Sequence, residues 1–308
     1  MTTASAPGKI ILFGEHAVVY NRPALAVPVT QVHADVEVSA SQRPGVWINA
    51  PDISLNSNLL ALPPGDALRS AVEAVFRALD VNSHPALNIR VTSTIPVASG
   101  LGSGAAVSVA LIRALSAHLG ESLDDQHVNS LCYEIEKIHH GTPSGIDNTV
   151  ITYACPVYFV KNQPVETFRV NSPFILIIAD SGIRAPTRES VGDVRKLWEA
   201  DPATWERVFD EVGEIVLQAR QAIETGRWLD LGPLMDANQA LLQKMSVSSA
   251  ELDHLVVAAK TAGAEGAKLS GGGRGGNLIA LVRPENAKKT AAALLAAGAV
   301  HTITTIIQ

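Results

Sequence analysis

The chain has 308 residues, 47% hydrophobic and 18% charged. That supplies a sizeable core and excludes the disordered, fibrous and short disulfide-stapled classes. Lysine and arginine total 24 against 30 for aspartate and glutamate, a net charge of −6, so no large basic excess is available for a nucleic-acid backbone and no such partner is expected.

Cys132 and Cys155 are the only cysteines, too few for a disulfide framework or a four-thiolate zinc site, and both read as core residues. No basic segment leading into an apolar stretch precedes Lys9, so no secretory signal is expected and the cytoplasm is the expected location. The most apolar tract, residues 291–300, falls well short of the roughly 20 residues of a membrane span, and no membrane association is expected.

In chain order, residues 9–13 form a short apolar run. Val32, Ala34, Val36 and Val38 then alternate with polar neighbours, the period of a strand with one buried face. Leu68, Val72, Val75, Phe76 and Leu79 recur at helical spacing, and Leu87, Ile89 and Val91 alternate again, so a helix precedes a strand. An Ala-rich helical pattern covers 103–118. Ser122, with Asp125 three residues on, predicts the capped start of another helix reaching about His139.

After a turn-rich loop over 141–145, short strands are expected at 157–160 and 165–169, then a buried strand at 174–179. Residues 204–245 read as helical with a break at Gly226. A helix, a strand at 267–270, a glycine loop, a strand at 277–282, a helix opened by Pro284 and a last strand complete the order. Helices against an antiparallel or mixed sheet make this half α+β. Two domains are expected, 1–170 and 171–308.

Four places in the chain bear on chemistry. Gly100, Gly102 and Gly104 stand after a strand and at the mouth of a helix, where unpaired backbone NH groups and the helix dipole favour an anion; an ordinary turn would look the same in isolation. The second glycine loop, Gly271-Gly-Gly-Arg-Gly-Gly276, formally satisfies GxGxxG but runs into a strand, which removes the helix end that a dinucleotide site needs. Glu136 reads either as a solvated helix residue or as one hard oxygen ligand for Mg²⁺, and its neighbour His139 as a supporting or surface residue. Asp147 follows a turn-rich stretch, as a helix cap or as a catalytic carboxylate.

Read together, these segments resemble the GHMP kinase superfamily of small-molecule kinases. Its first motif is matched by Pro7-Gly-Lys-Ile-Ile-Leu-Phe-Gly-Glu-His16, its second by the segment from Pro96 to Ala106, and its third by Lys268-Leu-Ser-Gly-Gly-Gly-Arg-Gly-Gly276. Within the superfamily, Glu136-Lys-Ile-His-His-Gly-Thr-Pro-Ser-Gly-Ile-Asp147 and Gly14-Glu-His16 are similar to the mevalonate kinase branch.

The resemblance implies a ribosomal protein S5 domain 2-like N-terminal domain, a ferredoxin-like C-terminal domain and an active site between them. It implies an ATP-dependent kinase acting on a small alcohol, with mevalonate as the expected acceptor, Mg²⁺ as the metal and room for a homodimer. Asp147 and Lys9 take the catalytic places, and Glu136 with Ser103 those of the metal ligands. Gly100, Leu101, Gly102, Ser103, Gly104, Ala105 and Ala106, with Gly272 and Gly273, would hold nucleotide. His16, Thr187 and more weakly Glu15 would orient the substrate. Three departures stand out: Gly104 replaces a family serine, and Arg274 and Asn277 replace a glycine and a cysteine of the third motif.

Overall fold

The computed structural model describes residues 1–96, 100–140, 143–164 and 166–308, with the backbone alone at 139 and 140. The predictions made for the side chain of His139, and those parts of the two loops and of the 165–169 strand that fall in the gaps, lie outside the described residues. The chain divides into two compact units. The first comprises Met1–Lys9, Val32–Val97 and Leu101–Ala154; the second comprises Ile10–Gln31, Ala98–Gly100 and Cys155–Gln308.

The early elements are β1 (Thr2–Phe13), β2 (Ala24–Ala40), β3 (Val46–Ala50), β4 (Leu55–Asn58), α1 (Ala67–Ala78) and β5 (Leu87–Ser93). Helices α2 (Ser103–His118), α3 (Asp125–His140) and α4 (Ile146–Tyr153) follow. In the first unit β5 lies between β3, to which it is parallel, and the later part of β2, to which it is antiparallel. Val36 faces Val91 and Val38 faces Ile89 across that ladder, and all four are buried. The period-two pattern thus puts one face of each strand into the core.

Helices α1, α2 and α3 pack on one another, and α4 packs on α2 and α3. Alanines and β-branched residues let α2 be buried on most of its circumference. The cap of α3 is Asp124, not Ser122: its Oδ1 accepts from the His127 NH at 2.8 Å. An aspartate directly before the first helical residue reaches the third NH without distorting the entry. Asp147 does not cap α4. Gly145, at φ 90°, is the preceding residue, and Asp147 lies inside the first turn.

The remaining elements are β6 (Val157–Phe159), β7 (Glu166–Thr167), β8 (Phe174–Asp180), α5 (Thr187–Ala200), α6 (Pro202–Glu224), α7 (Leu231–Lys244) and α8 (Ala250–Thr261), then β9 (Gly266–Ser270), β10 (Asn277–Val282), α9 (Ala287–Ala296) and β11 (His301–Ile307). In the second unit the four-stranded antiparallel sheet runs β11-β8-β10-β9. With helices between β8 and β9 and α9 between β10 and β11, this is the βαββαβ order of a ferredoxin-like layer. Ile177, Leu269 and Leu278 from the sheet share a core with Phe209 and Leu242 from α6 and α7.

Gly226 at φ 74° ends the α6 segment, as its sequence predicts. Helix α5 has no counterpart in the sequence reading. Its polar first turn buries only Ser190, so the apolar stripe that would reveal it is short. No helix among the described residues is long and apolar enough to cross a membrane.

Candidate active site

In the first unit Lys9 on β1, the glycine turn at Leu101 and Gly102 that opens α2, and the start of α4 converge. Gly100 and Gly102 have φ of 77° and 74°, a left-handed backbone that glycine adopts without a Cβ penalty. Gly102 caps α2 with no side chain of its own. The Lys9 NH donates to the Leu101 carbonyl at 2.9 Å, and the Lys9 side chain crosses the turn so closely that a Cβ on Gly102 would meet its Cγ at 3.0 Å. Lys9 Nζ then pairs with Asp147 Oδ1 at 2.9 Å, the lysine side chain 6% and the aspartate 35% exposed. A half-open carboxylate held by a buried ammonium leaves one partner fixed and the other reachable.

Asp147 is held from behind. Its neighbour Asn148 is buried and donates to Asn129 Oδ1 on α3 at 2.6 Å, which sets the rotation of α4. Glu136 is also buried, and a Cβ on Gly104 would stand 3.6 Å from its Oε1, so this carboxylate faces the opening turn of α2. Cys132 marks the convergence of the two acids. Burial pushes its thiol well up, and the negative charges of Glu136 and Asp147 push in the same direction.

One helix mouth thus offers backbone NH groups, a cation and two carboxylates. Among the described residues no group of three or more His, Cys, Asp and Glu is placed to hold a metal ion. A divalent cation here would take Glu136, and the Ser103 hydroxyl at the first position of α2, as protein ligands and draw the rest of its shell from a bound phosphate or water. That donor set suits Mg²⁺.

In the second unit the first and third motifs meet. His16 is 5% exposed and sits at φ 61°. Its Nε2 lies 3.1 Å from the Gly272 carbonyl, which can only accept, so Nε2 carries the proton. Nδ1 is then a bare acceptor, buried and without a partner among the described residues. Burial lowers the His16 pKa to about 4; the Gly272 hydrogen bond opposes the shift and the Arg274 charge adds to it.

Because the folded value lies below the ordinary 6.5, the unfolded chain binds a proton first as the solution is acidified. The stabilisation is complete above pH 6.5 and is lost as pH falls through about 4. We expect wild type to lose about 3 kcal/mol more than His16→Asn between pH 7 and pH 4 in urea denaturation. Parallel pH profiles for the two proteins would remove the assignment.

Glu15 forms a buried ion pair with Lys268, whose Nζ also donates to the Leu269 carbonyl at 2.7 Å. Thr187 opens α5 against the glycine loop: a Cβ on Gly272 would come 2.8 Å from its Oγ1. Gly273, at φ 74°, leaves no room for a side chain because its Cβ position is 2.1 Å from the Val247 carbonyl. Asn277 lies beside Gly100, its Nδ2 at 3.6 Å from a Cβ placed there. The Glu15–Lys268 pairing has a signal in the sequence: Lys268 lies three residues before the glycine loop in a strand with no exposed position, and a lysine in such a run needs a buried acid.

Residues 66–155 match the family model described as GHMP kinases N terminal domain, and residues 219–300 match that described as GHMP kinases C terminal. The mevalonate kinase of Thermococcus onnurineus (strain NA1) is 34% identical over 98% of this chain and 95% of its own. The chain belongs to the GHMP kinase family. Among solved structures, the L. major mevalonate kinase in complex with R-mevalonate superposes with a TM-score of 0.87 at 31% identity, over 100% of this chain and 96% of that one. The Methanococcus jannaschii mevalonate kinase gives 0.87 at 27%, over 99% and 98%. As a GHMP kinase the chain has the two-domain fold that its motifs imply, and ATP is the phosphoryl donor of a kinase.

Proposed function

We propose that this GHMP kinase is a mevalonate kinase, moving the γ-phosphoryl group of ATP to the 5-hydroxyl of mevalonate with Mg²⁺ as the metal. The observation that carries the reading is the Lys9–Asp147 pair at 2.9 Å, set across the glycine turn that opens α2; the acceptor comes from the full-length relatives. Phosphoryl transfer is mainly positioning and charge neutralisation. The opening NH groups of α2, from Ser103 to Ala106, bind phosphate oxygens.

Glu136 and Ser103 would hold Mg²⁺, which would supply neutralisation of phosphate charge. Lys9 keeps Asp147 ionised and favours negative charge on the acceptor oxygen. As that oxygen bonds to the γ-phosphorus, the bond to the ADP oxygen breaks and the hydroxyl proton passes to Asp147. Gly272 and Gly273 bind nucleotide, and His16, Thr187 and more weakly Glu15 orient the acceptor.

ADP release measured with mevalonate, phosphomevalonate, diphosphomevalonate and galactose, together with the product mass, tests the acceptor. Mevalonate alone is expected to gain one phosphoryl group. Turnover confined to any of the other three would sink the reading. Gly102→Ala tests the cradle, because its Cβ would stand 2.7 Å from Ile151 Cδ1 and 3.0 Å from Lys9 Cγ at φ 74°. Displacing Lys9 and the helix mouth together is expected to lower kcat/KM about a hundredfold; a variant within threefold of wild type would contradict the placement.

A further inference from the structure

The glycine loop 271–276 carries one side chain, Arg274, at a backbone conformation that favours glycine. Its φ is 59°, left-handed backbone that glycine would adopt more easily. The side chain is nonetheless engaged. Nη1 pairs with Asp193 Oδ2 at 2.6 Å and Nε donates to the Ser246 carbonyl at 3.3 Å. The backbone NH, which a glycine would keep, donates to the Val247 carbonyl at 2.6 Å.

Asp193 lies on α5, six residues after Thr187, and its Oδ1 accepts from Lys196 at 2.7 Å. Little else holds the start of this helix. Pro186 precedes it without a side-chain cap, and Ser190 and Val194 are its only buried residues. The glycine loop therefore grips α5 at two points: Thr187 packed on Gly272, and Asp193 bound by Arg274.

We propose that the Arg274–Asp193 pair is a strap that keeps the first turns of α5 on the glycine loop 271–276, which makes Arg274 a positioning residue for Thr187 and, through it, for the acceptor alcohol. The proposal rests on Thr187 orienting the acceptor, as set out above. An arginine here gives up backbone comfort for a side-chain contact, so replacing it by glycine separates strap from turn: the turn is eased while the contact is lost. A purely structural arginine would instead show its loss in stability.

The test uses the full-length protein with Arg274→Gly, Asp193→Asn, the double variant, Arg274→Lys, and Lys196→Met as a control on the far side of Asp193. Amide hydrogen exchange over residues 187–193, without substrates, is expected to quicken about two- to fivefold in both strap singles, the range of a half-exposed ion pair. KM for mevalonate should rise by a similar factor, with KM for ATP unchanged and the melting temperature of Arg274→Gly not lowered. The double variant should be no worse than either single. Arg274→Lys should recover part of the effect, and Lys196→Met should show none.

Wild-type exchange over 187–193 in both singles, additive losses in the double, or an equal rise in KM for ATP would each overturn the strap. If wild type did not phosphorylate mevalonate, the functional reading would fall while the exchange measurement still judged the strap. Should Arg274→Gly not fold, Asp193→Asn and Arg274→Lys carry the same comparison.

Discussion

Asp147→Asn is expected to lower kcat by about 10²–10⁴-fold, the largest loss of any single change in the chain. The amide keeps the shape of the carboxylate and the rotation of α4 that Asn148 sets, so the first turn should stay in place. What disappears is the negative charge 2.9 Å from Lys9 Nζ and the oxygen that takes the hydroxyl proton. Lys9 would then hold its charge at 6% exposure without the carboxylate that pairs with it. If Asp147 acts in the transition state, kcat and kcat/KM fall together while KM for ATP stays near wild type. Steady-state kinetics with circular dichroism as the folding control decides the matter, and turnover within tenfold of wild type in a folded variant would withdraw the role.

The largest loss of stability is expected from Lys268→Met. Lys268 and Glu15 are 0% and 1% exposed, and burial drives the lysine pKa down against the raising effect of Glu15. Removing the lysine leaves a buried carboxylate without its cation, and Oε2 of that carboxylate already lacks a hydrogen-bond partner among the described residues. Breaking one side of such a pair costs about 3–5 kcal/mol, which corresponds to a melting temperature roughly 10 °C lower.

Lys268→Met/Glu15→Leu should recover most of that loss, because no uncompensated charge remains. Thermal and urea denaturation of the two variants distinguishes the outcomes. A single variant within 1 kcal/mol of wild type would mean that the pair is not ionised in the folded protein. Glu15 precedes His16 directly, so the same pair also bears on the backbone that aims the imidazole at Gly272.

Much of this was legible from residue order. The alternation of Val36 and Val38 and the spacing of Leu68, Val72 and Val75 yield their strand and helix because they report positions two to four residues apart, where backbone geometry alone decides which side chains share a face. The glycines at 100 and 102 mark a turn for the same local reason, and the three motifs in order were enough to point to the family.

What each polar residue touches is a different kind of information. Asp147 had two readings until β1 and α4 set its carboxylate on Lys9. Glu15 was the weakest of the acceptor candidates, and it is bound to a lysine 253 residues away. Arg274 was an unexplained departure until α5 brought Asp193 to it, and α5 itself was not foreseen because its first turns face outward.

The sequence by itself determined the elements, the glycine turns and the stock of chemically useful side chains, since these depend on near neighbours along the chain. Only the tertiary structure decided which carboxylate meets which cation. Hydrogen bonds and ion pairs act over about 3 Å, and whether residues far apart in the chain come that close depends on how whole helices and sheets pack.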